Sequence, residues 1–80
     1  MPTMRAKFVV TAVESTGTSE KLRFNAVAKN GAYPEDGSDE DNTFAKWSPS
    51  ASCEITVANP ALFGKFTAGD KFYVDFTPAD

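Results

Sequence analysis

Met4-Arg5-Ala6-Lys7-Phe8-Val9-Val10-Thr11-Ala12-Val13 lies near the start of the chain and repeats with a period of two. Met4, Ala6, Phe8, Val10 and Ala12 share one side; Arg5, Lys7, Val9, Thr11 and Val13 share the other. Such alternation predicts a strand with one buried face. A small polar stretch follows, Glu14-Ser15-Thr16-Gly17-Thr18-Ser19-Glu20, which reads as a turn around Gly17. Then the period returns. Over residues 21–29, Leu22, Phe24, Ala26 and Ala28 point inward, while Lys21, Arg23, Asn25 and Lys29 point outward. Two alternating runs about a short turn make an antiparallel hairpin. Its outward side gathers the bases Arg5, Lys7, Lys21 and Arg23.

Beyond the hairpin the pattern breaks. Residues 30–42 contain Asn30-Gly31, Pro34 and Asp36-Gly37 and few apolar residues, so they read as a loop inserted into the domain. The loop is acidic. Five of the eleven acids fall within residues 35–42, and the rest of the chain has six acids against eight bases. The net charge of −3 therefore describes a slightly basic body with one negative loop. A negative overall sign argues against strong non-specific DNA binding, which depends on neutralising phosphates.

Strand character is expected again at residues 43–48, with Phe44 and Trp47, until Ser48-Pro49-Ser50 interrupts it. Residues 52–58 alternate with Cys53, Ile55 and Val57 inward. Asn59-Pro60 has the chemistry of a helix start, an N-cap followed by proline at the first helical position. Gly64 is placed to end that short helix. Thr67-Ala68-Gly69-Asp70 is a tight turn. Residues 71–77 form the last strand, Phe72, Val74 and Phe76 inward, Tyr73 and Asp75 outward. The expected fold is mostly β: a single domain over residues 1–80, a small five-stranded antiparallel barrel or curled sheet, OB-like or SH3-like, with one short helix before the last strand. A sheet this small leaves an edge that can pair with another chain, so a homo-oligomer is among the expected partners.

Eighty residues bury only a little over ~60% of their unfolded surface, and the usual staples are missing. Cys53 is the lone cysteine and there is no histidine. That excludes an internal disulfide and a Cys/His zinc site, and equally any catalysis that uses histidine as base or in a triad. No phosphate-cradling glycine loop or nucleophile elbow is present. We expect no enzyme, no cofactor and no metal. Calcium would need oxygen donors at set spacing, and Asp36, Asp39, Glu40 and Asp41 do not match it. The N-terminal residues have no long apolar segment, so neither a signal peptide nor a membrane span is expected.

Two surfaces could bind a partner. The first is the acidic loop with its flanking aromatics: Tyr33, Asp36, Asp39, Glu40, Asp41 and Trp47. Negative charge beside aromatic anchors suits a basic protein surface. The second is the basic strand face, Arg5, Lys7, Lys21 and Arg23, with Tyr33 and Trp47 as stacking platforms. Cations with aromatics are the ingredients of single-stranded nucleic-acid binding. The same stretches can be explained without a ligand, as a solvated loop and an exposed charged face whose aromatics pack the core.

Three segments taken together carry a resemblance. They are Tyr33-Pro34-Glu35-Asp36-Gly37-Ser38-Asp39-Glu40-Asp41-Asn42-Thr43-Phe44-Ala45-Lys46-Trp47-Ser48-Pro49, then Asn59-Pro60-Ala61-Leu62-Phe63-Gly64-Lys65-Phe66, then Gly69-Asp70-Lys71-Phe72-Tyr73-Val74-Asp75-Phe76-Thr77-Pro78. Over roughly residues 4–80 the pattern resembles small accessory proteins of tailed bacteriophages, a group without an assigned activity. The resemblance implies a setting, the host bacterial cytoplasm or the virion, and a host or phage protein as partner. A virion structural component is the further alternative. No catalytic or binding residue carries over from it.

Overall fold

The period-two stretch forms the long central strand of the molecule. The computed structural model describes residues 2–80, and among them four strands form one antiparallel sheet. They are β1 (Met4–Ser15), β2 (Glu20–Ala26), β3 (Ser52–Val57) and β4 (Lys71–Phe76), in spatial order β3-β2-β1-β4. Inward side chains of neighbouring strands stand opposite one another: Phe8 beside Phe72, Ala6 beside Val74, Phe24 beside Cys53 and Leu22 beside Ile55. Ala6, Phe8, Val10, Leu22, Phe24 and Val57 are buried together. Phe44, Phe63 and Phe66 pack onto this cluster from the connecting segments. Each large side chain buried this way contributes roughly 1.5–3 kcal/mol, so a core of this size leaves a modest margin.

The alternation of β1 is interrupted once. Val10 faces Phe24 but Ala12 faces Arg23, so one extra residue is accommodated at Thr11. This is a β-bulge, and it switches the parity of everything after it. Val13, expected on the outer face, stands opposite Leu22 and packs on the core. Ala12, expected inside, moves to the side of Arg23. The Thr11 hydroxyl donates to the Arg23 carbonyl at 3.2 Å and holds the bulge.

Three further expectations are corrected. Residues 43–48 do not form a strand. Hydrogen bonds from Gly37 N to the Pro34 carbonyl, Asn42 N to the Asp39 carbonyl and Ala45 N to the Asn42 carbonyl fold the segment into successive turns. Trp47 then adopts φ 64°, outside the range of a strand. Among the described residues, the pairing left to this segment is an isolated bridge between Ser38 and Lys46. Without that fifth strand nothing joins β3 to β4, and the sheet stays open rather than closing into an OB-like or SH3-like barrel. The helix before the last strand is a single 3-10 turn, Pro60–Leu62. Its chemistry is as expected: Asn59 Oδ1 accepts the Ala61 N–H at 3.1 Å. The Gly64 N–H just beyond turns to the buried Glu20 carboxylate at 3.2 Å.

The result is a thin slab, 47 × 32 × 16 Å, with a radius of gyration of 14.4 Å. A compact domain of 80 residues would have about 11.6 Å. Phe72 and Phe76 lie on the core face of β4 yet remain 37% and 46% exposed. Ile55 on the opposite edge is 47% exposed. Among the described residues no helix is long and apolar enough to cross a membrane.

Candidate functional site

The acidic loop is stitched to the sheet by its own side chains. Where β2 ends at Ala26, the neighbouring edge of β1 would be left bare from Arg5 to Lys7. Bare backbone groups at that position cost free energy unless they find partners. Val27 N donates to the Lys7 carbonyl at 2.9 Å, and residues 42 and 43 supply the rest. Thr43 N donates to the Arg5 carbonyl and Arg5 N donates to Thr43 Oγ1, both at 2.9 Å. Asn42 Oδ1 accepts the Lys7 N–H at 2.8 Å, and Asn42 Nδ2 donates to the Val27 carbonyl at 2.7 Å. The Asn42 side chain thus stands in for a missing strand, and its residue is 0% exposed.

Asp39 locks Asn42 in place. Its carboxylate accepts the N–H groups of Asp41 and Asn42 on one oxygen, and the Lys29 N–H and the Asn42 amide on the other. Burial alone would raise its pKa; the hydrogen bonds from Asn42, Lys29 and Asp41 outweigh burial and hold the carboxyl below its ordinary value. Asp41 is engaged too, by Lys7 Nζ at 3.5 Å and by the Tyr73 hydroxyl at 3.1 Å. These two acids, expected as partner contacts on a solvated loop, face inward and carry structure.

The outer half of the loop is different. Asp36 accepts the Ser38 N–H in a local turn that lowers its pKa, and its residue stays exposed. Glu40 is exposed and reaches Lys29 at 3.1 Å. Glu35 is exposed as well. Trp47, which follows this loop, is 52% exposed. Its backbone N–H donates to the Gly37 carbonyl at 2.8 Å, and its ring lies so close over Gly37 that a Cβ there would come within 2.5 Å of the indole Nε1. Tyr33 meets the indole edge-on with ring centres 5.9 Å apart. The Tyr33 hydroxyl is buried beside Asp39 without hydrogen-bond geometry to any group among the described residues. Burial first, and the Asp39 charge second, raise its pKa. A shallow depression lined by Ser38, Asp39, Glu40, Thr43, Phe44, Ala45 and Lys46 adjoins this surface.

Arg5, Lys7, Lys21 and Arg23 lie on the outer side of β1 and β2, but Lys7 is buried and none is left free. Arg5 forms a bidentate pair with Asp75, Nε to Oδ1 at 2.6 Å and Nη2 to Oδ2 at 3.0 Å. That pair lowers the Asp75 pKa and raises the Arg5 pKa. Lys21 faces Glu54, and Arg23 lies between Glu14 and Glu54. With Lys7 on Asp41, all four cations have a carboxylate partner. The aromatic neighbour of Arg5 is Tyr73, 4.7 Å from guanidinium carbon to ring centre, rather than Tyr33 or Trp47.

Sequence reasoning missed Asn42 and Tyr73. Alternation places Tyr73 outward, but its closeness to Arg5 follows only from β4 lying next to β1. Asn42 offers no signal beyond its turn-forming chemistry. The four candidate calcium donors do not converge, since each carboxylate is turned to its own hydrogen-bond or ion-pair partner. Comparison with protein-family models, with curated proteins and with solved structures finds no match to this chain.

Proposed function

We propose that the chain is a non-enzymatic binding module that presents Trp47, on a loop that also carries the exposed acids Glu35, Asp36 and Glu40, to a basic surface on a partner protein. The observation that supports this most is the conformation of Trp47. A bulky residue at positive φ costs on the order of 1–3 kcal/mol, and such strain persists where the surroundings impose it, often at binding sites. Here the strain holds an indole outward on a glycine seat. A core residue would gain from burial, whereas this one stays half in solvent. Tryptophan is among the side chains most enriched at binding hot spots. The stitching by Asp39 and Asn42 fixes the loop beforehand, which lowers the ordering cost of association.

The acids divide accordingly. Glu35, Asp36 and Glu40 supply accessible negative charge for steering, and Asp39 and Asp41 hold the platform. The single-stranded nucleic-acid reading has less support, because Arg5, Lys7, Lys21 and Arg23 are each paired with a carboxylate. The phage setting implied by the sequence pattern makes a host or phage protein the natural partner to look for.

Trp47→Gly tests the reading directly. Glycine suits φ 64°, so the backbone and the fold persist while the indole is removed. Capture of protein partners from phage-infected bacterial lysate should then fall at least about tenfold, the loss of a modest hot spot. Glu35→Gln/Asp36→Asn/Glu40→Gln should weaken capture mainly at low salt. Undiminished capture by the folded Trp47→Gly chain would refute the proposal.

A further inference from the structure

We infer that β4 is a self-pairing edge, and that two copies of this chain join through it into one eight-stranded sheet about a two-fold axis. The inference is independent of the Trp47 surface. It starts from the backbone. Arg5 and Lys7 turn their N–H and C=O groups toward residues 27, 42 and 43. In an antiparallel ladder successive residues point to opposite sides. Ala6 and Phe8 therefore pair with Val74 and Phe72, and Lys71, Tyr73 and Asp75 direct their backbone groups away from the sheet. That edge is a ready template for another strand.

The side chains on this edge complement themselves. Antiparallel pairing with Tyr73 on the axis sets Lys71 opposite Asp75 of the second copy, twice by symmetry, so that each Asp75 carboxylate lies between its own Arg5 and the second copy's lysine. Lys71 has no salt bridge among the described residues. A parallel arrangement would instead face like with like. On the core side the same register puts Phe72 opposite Val74 of the second copy and diagonal to its Phe76, within reach for aromatic rings. These are the phenylalanines left exposed in the single chain, and Phe66 already braces Phe72 at 5.3 Å.

The distribution of exposed surface favours this edge. A compact 8.6 kDa monomer should expose about 4,700 Å², whereas this chain exposes 5421 Å². Of the six large hydrophobic side chains left exposed among the described residues, three, Phe72, Tyr73 and Phe76, belong to β4. The edge at β3 makes a weaker case. Among the described residues its core side offers only Ile55 as a large exposed residue, against Phe72 and Phe76 on β4.

Sedimentation equilibrium across a dilution series is the test, with circular dichroism to verify folding of each variant. The wild-type chain should weigh twice 8.6 kDa at the upper concentrations. Phe72→Lys/Phe76→Lys should be a folded monomer. Lys71→Glu and Asp75→Lys should each self-associate about tenfold more weakly, through like charges facing across the axis. An equimolar mixture of those two variants should restore the dimer. In the mixed pair the introduced glutamate meets the introduced lysine, and the remaining Asp75 meets the remaining Lys71. Ile55→Lys, on the far edge, should leave the dimer intact. A monomeric wild-type chain, a mixture that fails to re-associate, or a dimer lost only on Ile55→Lys would overturn the inference.

Discussion

Asn42 and Asp39 show how much of this small fold depends on single polar side chains. Asn42 satisfies the Lys7 N–H, the Val27 carbonyl and one Asp39 oxygen from a fully buried position. Asn42→Ala leaves the Lys7 N–H and the Val27 carbonyl without partners, at about 1–3 kcal/mol for each group that stays buried, and takes one of two donors from an Asp39 oxygen that keeps the Lys29 N–H. We expect a loss of about 2 kcal/mol after relaxation, a fall in melting temperature of roughly 10 °C for a domain this size, read by thermal denaturation. Asp39 gives a pH signature. Its folded pKa is depressed, so it contributes stability at pH values above 3.8, its ordinary value, and that contribution is lost as pH falls through the folded value. Asp75, depressed by Arg5, acts in the same direction. Urea midpoints measured from pH 7 downward should hold steady and then drop in the acid range. Asp39→Asn should make that acid drop shallower, and an unchanged slope would remove Asp39 from the account.

At the scale of elements, the period of two is the legible signal. It locates β1, β2, β3 and β4 and assigns most inward residues, because burial of one face imposes it directly. It fails where another constraint is stronger. Phe44 and Trp47 are three apart, a spacing that does not fit alternation, and the segment folds into turns because Asn42 and Thr43 are committed to the β1 edge. The bulge at Thr11 is illegible because Val9, Val10 and Val13 are apolar on both sides of the period. In the loop, composition counts acids but cannot tell Asp39, buried among N–H donors, from Glu35, left in solvent. Register yields a sharp expectation. Deleting Thr11 removes the extra residue yet keeps both Val10 and Val13 inward, so the shortened chain should fold with a similar melting temperature. Deleting Val9 inverts Ala6 and Phe8 relative to β2 and should abolish the cooperative transition. Circular dichroism melts of the two deletions compare them directly.

For the molecule as a whole, thinness is the governing property. A single sheet covered on one face by two connecting segments has little interior, and the exposed phenylalanines of β4 reflect that shortage. Stability at the usual 0.05–0.15 kcal/mol per residue would be about 4–12 kcal/mol. If assembly through β4 adds to it, the melting temperature must climb with protein concentration, as mass action requires. Calorimetry at two widely separated concentrations should show that climb in the wild-type chain and none in Phe72→Lys/Phe76→Lys. The outer face predicts the converse for salt. Its ion pairs are mostly exposed, each worth little, so moderate salt should shift the melting temperature only slightly.

The seat of Trp47 on Gly37 has a practical corollary. The chain's only indole belongs to the loop and not to the sheet, so the molecule contains a native optical label at the place where the stitching can come undone. Intrinsic fluorescence would follow the loop, while far-ultraviolet dichroism would follow the strands. Run side by side through one denaturant titration, the two signals report whether loop and sheet melt as a single cooperative unit. Coincident curves mean that Asp39 and Asn42 bind the two into one unit; an earlier fluorescence change means the loop opens on a folded sheet.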